Sequence, residues 1–402
     1  MPAQPNIIWI VTTQWRAQAT GYAGDVNALT PWLDGLAGAS VNYTQAVTPH
    51  PMGPQARAAL LTGKLCPENG VSGYWDPLPS RARTIAHALG DRGYSTAYFG
   101  KWHLANRDRT APFVGEVHAK TVVPPDHRGG FKFWEGFEGG FLLNDPWLHG
   151  TRLPQPVHFK GYQSDILVQR AAEWLAGPHV QPVFCVISLE APHPPYHAPA
   201  LQVREPQPSG LVLRGNVPTG GPVEQQAREE MAGYYAHIEA TDRAIGKIIA
   251  EVDLTNTALV FTSVHGDMHG SHGLFRKAWP FEESIRVPLL VRPPSGRKPA
   301  RWLDDSPVSL VDLPHMTLAW SEGREWHCRG DSALISMPSA TEIPLQCPEP
   351  WRGFRSARHK LVLRQDGRPW LYFDLEKDPL EQINLAEDPA RADEIQDLIR
   401  LM

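Results

Sequence analysis

The sequence predicts an α/β protein: a large, mostly parallel sheet flanked by helices, followed by a small C-terminal antiparallel sheet and a helix. Three observations carry this. The stretches Pro5–Gln14 and Asn256–Asp267 are apolar, β-branched runs that end abruptly in polar residues, as buried parallel strands do where their carboxyl ends open onto a ligand crevice. Strand and helix signals alternate through the first half of the chain, the pattern of strands joined by crossover helices. The tail changes character, and its Lys360–Arg364 and Trp370–Asp374 runs read as a hairpin with Gly367 in the turn.

The elements follow in order. Strand one covers Ile7–Val11. Thr30 caps a helix that has Pro31 in its first turn and runs to Ala37. A second helix covers Ala56–Thr62 and ends at Gly63; a third covers Thr84–Arg92, ends at Gly93 and leads into strand Ser95–Phe99. Residues 105–162, rich in Gly, Pro, Trp and His, read as a long excursion over the active face. Ile166, Leu167, Ala171, Trp174 and Leu175 give Ser164–Ala176 helical spacing, and Pro182–Leu189 is a buried strand. A Pro-dense stretch precedes an amphipathic helix from about Gln225 to Glu251, with Ile238, Ala244, Ile245 and Ile248 facing the sheet. Val287–Arg292 is a further strand, and a terminal helix covers Pro389–Leu401. Residues 1–340 read as the main α/β domain and 341–402 as a C-terminal subdomain.

At 402 residues, 42% hydrophobic and 20% charged, the chain has an ordinary globular composition. Its formal net charge of −5 argues against a nucleic-acid or membrane-surface role driven by bulk charge. The four cysteines, Cys66, Cys185, Cys328 and Cys347, have no metal-ligand or framework spacing. Cys185 sits in an apolar run and reads as core, while a Cys328–Cys347 disulfide is left open. No basic segment precedes a long apolar run at the N-terminus, and no stretch approaches the ~20 apolar residues of a membrane span. A cytoplasmic location is the expectation, with no nucleic-acid or membrane partner and homo-oligomerisation left open.

Six separated motifs then point to one family. They are Arg57-Ala-Ala-Leu-Leu-Thr-Gly63, Gly93–Leu104 with its Gly100-Lys-Trp-His-Leu104 core, and Ala191-Pro-His-Pro-Pro-Tyr196. They continue with His265-Gly-Asp-Met268, with His272-Gly-Leu274 and Lys277, and with Leu371–Pro379 followed by Asn384-Leu385. With strand one ahead of them, these resemble, in order, the sulfatases of the alkaline phosphatase superfamily, including the phosphonate monoester hydrolase branch. The resemblance implies an alkaline-phosphatase-like fold.

Sulfatases of this family attack with a cysteine oxidised to formylglycine, in the pattern Cys-x-Pro-x-Arg. Here the Arg is Arg57, and counting back four places reaches Gly53, or Met52 with one insertion. Cys66 lacks the spacing. In the family the two strand ends carry aspartates that hold a divalent cation. Thr13 and Val264 take those places, beside Gln14 and His265, which fit ligands of the phosphonate monoester hydrolase branch. Hard cations need anionic oxygens, so no divalent metal is expected as cofactor.

By resemblance, Arg57, Lys101, His103, His193 and Lys277 bind the substrate. Lys101, His103, His193 and His265 are the candidates for oxyanion stabilisation and proton transfer. The implied ligand is a small sulfate or phosphate ester, or a related sulfonyl or phosphonyl compound. Its processing by hydrolysis, group transfer or elimination would be independent of formylglycine and metal, and ordinary arylsulfatase activity is expected to be absent. Two other classes stand beside this: an inactive pseudo-sulfatase that binds a ligand or partner, and a metal-dependent hydrolase with rebuilt ligands.

Thr13 and His50 are the candidate replacement nucleophiles. His265, His269 and His272 offer an alternative zinc set. Asp267 reads as a residue that orders its loop. The aromatic residues Trp134, Phe137, Phe141, Trp147 and Trp279 read as packing, some of it over the leaving-group side.

Overall fold

The computed structural model describes residues 4–200, 202–294, 302–328, 330–341, 343–400 and 402. The main sheet is built from β1 (Asn6–Thr12), β2 (Val41–Tyr43), β3 (Ser95–Lys101), β4 (Phe133–Phe137), β5 (Trp147–Gly150), β6 (Val157–His158), β7 (Val183–Ser188), β8 (Thr257–Ser263), β9 (Leu289–Arg292) and β10 (Leu303–Asp304). Their order is β10-β2-β9-β8-β1-β7-β3-β4-β5-β6. The middle of the sheet, β8-β1-β7-β3-β4, is wholly parallel, so the carboxyl ends of its strands open on one edge. Antiparallel β9, β5 and β6 extend it outward.

The helices are α1 (Pro31–Ala37), α2 (Gly53–Thr62), α3 (Ile85–Gly90), α4 (Glu116–Ala119), α5 (Gln163–Leu175), α6 (Pro222–Glu251), α7 (Glu282–Ile285), α8 (Leu313–Ser321) and α9 (Ala392–Arg400). Successive side chains of β1 point to opposite faces. Ile7, Trp9 and Val11 pack with Leu60, Leu61, Ile85, Leu89 and Met316 of α2, α3 and α8. Ile8 and Ile10 pack with Leu33, Leu167, Val168, Ile238 and Ile245 of α1, α5 and α6. This double coverage explains why β1 and β8 are continuous apolar runs rather than alternating ones.

Two elements begin earlier than the sequence suggests. Helix α2 starts at Gly53 because Met52 is extended and Pro54 suits a first turn. Helix α6 starts at Pro222 for the same reason and spans 30 residues. The 105–162 segment is not a simple excursion, since β4 adds to the sheet beside β3.

The small sheet, β11 (Ser332–Met337), β12 (Trp351–Ser356), β13 (His359–Arg364) and β14 (Pro369–Asp374), is antiparallel throughout. It contains the expected hairpin as β13–β14, and it begins ahead of the division at 340. One face packs on Ile395 of α9. Ile335, Met337, Trp351, Val362 and Phe373 of the other face pack on Met52, Met268, Ala278 and Ile285 of the main domain. Residues Pro389–Arg391 form a 3-10 turn before α9, and Leu401 lies outside the described residues. All four cysteines are free, so Cys328 and Cys347 are not bridged. Among the described residues no helix is long and apolar enough to cross a membrane.

Candidate active site

The carboxyl ends of β1, β3, β7 and β8 deliver Thr13-Gln14, Lys101–His103, Glu190 and His265–Asp267 to one crevice, the position expected for a parallel sheet. The N-terminus of α2 faces it with Gly53, and the 268–281 loop returns with Lys277. Thr13, Gly53, Lys101, His103, His193, His265 and Lys277 line a cavity of about 630 Å³, whose outer wall carries Tyr74, Phe113, Phe141 and Tyr196. Gln14, His103, Arg276 and Ala278 all have positive φ, at 73°, 60°, 66° and 70°. Left-handed backbone in non-glycine residues is sparse in general and gathers where function demands a fixed geometry.

The five expected donors divide into two kinds. Arg57 is committed to the frame: its Nη1 donates to the Lys101 carbonyl at 3.1 Å and to Ser188 Oγ at 2.6 Å, and Nη2 donates to Thr13 Oγ1 at 2.7 Å. It ties the ends of three strands together behind the cavity wall and does not line the cavity. Lys101 lines the cavity with its Nζ 2.7 Å from Glu190 Oε1 and 4.3 Å from the centre of the Phe141 ring. Burial lowers the Lys101 ammonium to about 8 despite Glu190.

Lys277 has a different environment. Its Nζ donates to Gln14 Oε1 at 2.8 Å and lies 3.3 Å from His193 Nε2. Burial lowers this ammonium to about 7. His193 Nδ1 is 2.7 Å from the Pro194 carbonyl, which can only accept, so Nδ1 carries the proton and Nε2 offers its lone pair to Lys277. Phe141 stacks on the His193 ring at 4.4 Å with an interplanar angle of 2°. His265 has the same tautomer for the same reason, with Nδ1 2.9 Å from the Gly266 carbonyl and Nε2 buried without a partner. Burial, reinforced by neighbouring cations, holds His103, His193 and His265 well below the ordinary imidazole range, so all three are neutral.

Neither expected replacement nucleophile is poised for attack. His50 is buried away from the cavity, with Nδ1 3.1 Å from the Ser336 carbonyl and Nε2 accepting from the Cys66 N–H at 3.0 Å. Both ring nitrogens serve the backbone. Thr13 does line the cavity, but its hydroxyl donates to the Leu189 carbonyl at 3.1 Å and accepts from Arg57. A carbonyl is no base, so nothing there activates the oxygen.

The donor set does not suit the divalent cation that the family implies. Val264 is fully buried in the core, and the Thr13 hydroxyl is engaged on both sides. Gln14 Oε1 accepts from the Lys277 ammonium, which stands against the oxygen a cation would need. At the ends of β1 and β8 the carboxylate is that of Asp267, and it already accepts from Gln14 Nε2, Tyr196 Oη and the His269 N–H. Burial pushes the Asp267 carboxyl up, but His269, Arg276 and these donors more than offset it and bring it down to about 2. One saturated carboxylate, one amide already bound and one imidazole make a poor site for a hard ion.

The three loop histidines do not converge either. His269 packs between Tyr196 and Tyr234, whereas His272 groups with Glu283 and Glu381. In that group Asn216 Nδ2 sits within 3.2 Å of His272 Nε2 and 2.9 Å of Glu283 Oε1, an amide nitrogen between the would-be ligands. Asp267 holds its loop as expected. Glu190 escaped the sequence reading, although it follows β7 just as Thr13 follows β1, and the same strand-end logic would have found it. Of the five aromatic residues singled out in the sequence, Trp134 and Phe137 are core and Phe141 lines the cavity.

A crevice at the carboxyl edge of a doubly covered parallel sheet, with Lys101, Lys277 and the neutral His103, His193 and His265 among its lining residues, has donors chemically suited to a tetrahedral oxyanion. The Sulfatase family model matches residues 5–323, and the chain belongs to the sulfatase family. It is 32% identical to the ulvan-active sulfatase of Formosa agariphila, with 96% of this chain and 78% of that protein covered. It is 27% identical to an arylsulfatase of Clostridium perfringens, covering 95% and 90%. Among solved structures, the candidate sulfatase yidJ of Bacteroides fragilis superposes with a TM-score of 0.85 at 25% identity over 99% of this chain and 94% of its own. The phosphonate monoester hydrolase of Agrobacterium radiobacter shares the fold, with a TM-score of 0.76 at 21% identity over 99% and 94%.

Proposed function

We propose that this chain binds a sulfate or phosphate ester, or a related sulfonyl or phosphonyl compound, between Lys101, Lys277, His103 and His193, and processes it without formylglycine or a divalent metal. One observation carries the reading: the buried Lys277 ammonium lines the cavity, donating to Gln14 Oε1 at 2.8 Å and lying 3.3 Å from His193 Nε2, with no ion-paired carboxylate among the described residues. A buried cation without a carboxylate partner is costly in isolation and is stabilised by an incoming oxyanion. Lys101 and Lys277 would stabilise charge on the non-bridging oxygens. Lys277, with the His193 lone pair 3.3 Å from its Nζ, would give a proton to a leaving oxygen and recover one later.

The test is turnover of aryl sulfates, phosphates and phosphonates with chelator, with Mn²⁺ and with Zn²⁺, in the wild type and in Lys277→Ala. The expected result is turnover that chelator leaves unchanged and that Lys277→Ala lowers by roughly 10²-fold or more. Activity that depends on added metal would replace this reading with a hydrolase of rebuilt ligands. Sulfate binding with no turnover of any ester would replace it with a non-catalytic ligand-binding role.

A further inference from the structure

By the family spacing counted without an insertion, Gly53 takes the place of the sulfatase nucleophile, and the space in front of it is filled. A Cβ added at Gly53 would lie 2.8 Å from His103 Nδ1 and 3.1 Å from its Cε1. The first contact is closer than a real Cβ tolerates, so the imidazole and any side chain at position 53 exclude one another. His103 reaches this place through a left-handed backbone with φ of 60°. Its N–H donates to the Glu138 carbonyl at 3.1 Å, and Tyr74 and Phe141 meet its ring edge-on at 81° and 86°. The ring is 4% exposed, yet Nδ1 has no hydrogen-bond partner. A buried imidazole nitrogen with no partner, held by strained backbone in the nucleophile's place, calls for a reason beyond packing.

Resting on the reading above that the pocket takes an oxyanion ester, we infer that His103 is the nucleophile of this site and that Gly53 is the vacancy that admits it. His103 lines the cavity, and of its two ring nitrogens only Nδ1, against Gly53, is buried without a partner, so Nε2 is the nitrogen left to attack, which requires the ring proton on Nδ1. The Nε2 lone pair forms a bond to phosphorus or sulfur as the ester P–O or S–O bond breaks. The electron pair leaves with the ester oxygen, which takes a proton from the Lys277 ammonium and departs as the alcohol. Water then attacks the phosphoryl- or sulfo-imidazole and gives its proton to the Lys277 amine. The N–P or N–S bond breaks with its pair returning to Nε2, and phosphate or sulfate is released. No oxidant or metal enters the balance. The neutral state of the ring keeps the lone pair available, and a histidine nucleophile needs no oxidation of a cysteine.

The experiment uses the full chain with 4-nitrophenyl phosphate and with phosphoramidate, a small phosphoryl donor, followed by quenching in alkali. The expected result is an acid-labile, alkali-stable phosphoryl group on the peptide that carries His103. His103→Gly, which its positive φ accommodates, loses the adduct and lowers turnover by roughly 10⁴-fold or more. Added imidazole restores turnover in this variant, a rescue that a merely structural histidine would not show. Gly53→Ala also loses the adduct, because its methyl displaces the ring. Turnover retained in His103→Gly, turnover gained in Gly53→Cys, or wild-type turnover with no adduct would each overturn the inference. Sulfate titration of the same proteins separates the two readings: failure of the wild type to bind sulfate defeats the proposed function itself, whereas sulfate binding with turnover independent of His103 defeats only the nucleophile.

Discussion

Lys277 and Lys360 are both buried lysines, and their surroundings could hardly differ more. Lys360 sits beneath the small sheet with Nζ 3.3 Å from Glu282 and in an ion pair with Glu381, while Arg355 reaches Glu282 at 3.0 Å and Arg214 reaches Glu283 at 2.8 Å. This charge network locks β12 and β13 to α7. Lys277 instead meets an amide oxygen and an imidazole, and among the described residues no carboxylate forms an ion pair with it. The same residue type serves as a structural clamp in one place and, on the function proposed above, as an oxyanion receptor in the other. What differs is whether the fold supplies the counter-charge or leaves it to a ligand.

The comparison can be broken in several ways. Lys360→Met leaves Glu282 and Glu381 short of a partner and is expected to destabilise the protein by about 3–5 kcal/mol in chemical denaturation. Lys277→Met, which removes a poorly compensated charge, should cost less than about 1 kcal/mol. The same variant should weaken sulfate binding by roughly a hundredfold, as loss of charge-assisted hydrogen bonds implies. Equal destabilisation by the two substitutions would erase the distinction between clamp and receptor.

A smaller effect follows from pH. Lys277 titrates near 7 and Lys101 near 8, both lowered by burial, so each is charged below its own value and neutral above it. Sulfate keeps both charges across this range. Its affinity should therefore be greatest at the acidic end and fall as pH rises through 7 and then 8, by up to about tenfold per unit for each proton lost. Affinity that stays flat, measured calorimetrically from acid to alkaline pH, would mean that neither lysine contacts the anion. The smallest effect expected is that of manganese. Sulfate in large excess should raise the melting temperature by linkage, and Mn²⁺ should leave it unmoved.

Much of the fold was legible because β1 and β8 are covered on both faces and so have to be continuously apolar. Strand β4 was not. Its Glu135 is buried between Arg152 at 2.6 Å and Arg170 at 2.8 Å, and a carboxylate neutralised by distant arginines looks like a surface residue in the sequence. His50 misled in the opposite direction. As a candidate nucleophile it would need a free ring nitrogen, but Ser336 comes from far along the chain to take Nδ1. Arg57 has the right chemistry for a ligand donor, yet its guanidinium spans the ends of β1, β3 and β7. Residue type reported what each group can do, and packing decided whether it is free to do it.

The sequence by itself determined the family, the parallel sheet, and the stock of lysines and histidines at its carboxyl edge. Tertiary structure alone decided which cations are already neutralised, that Gln14 and Lys277 meet across 263 residues, and that His103 fills the space before Gly53. The physical reason is range. Strand and helix preferences are set by near neighbours along the chain, whereas the charge state and availability of a buried group depend on partners that only the folded chain brings within hydrogen-bond distance.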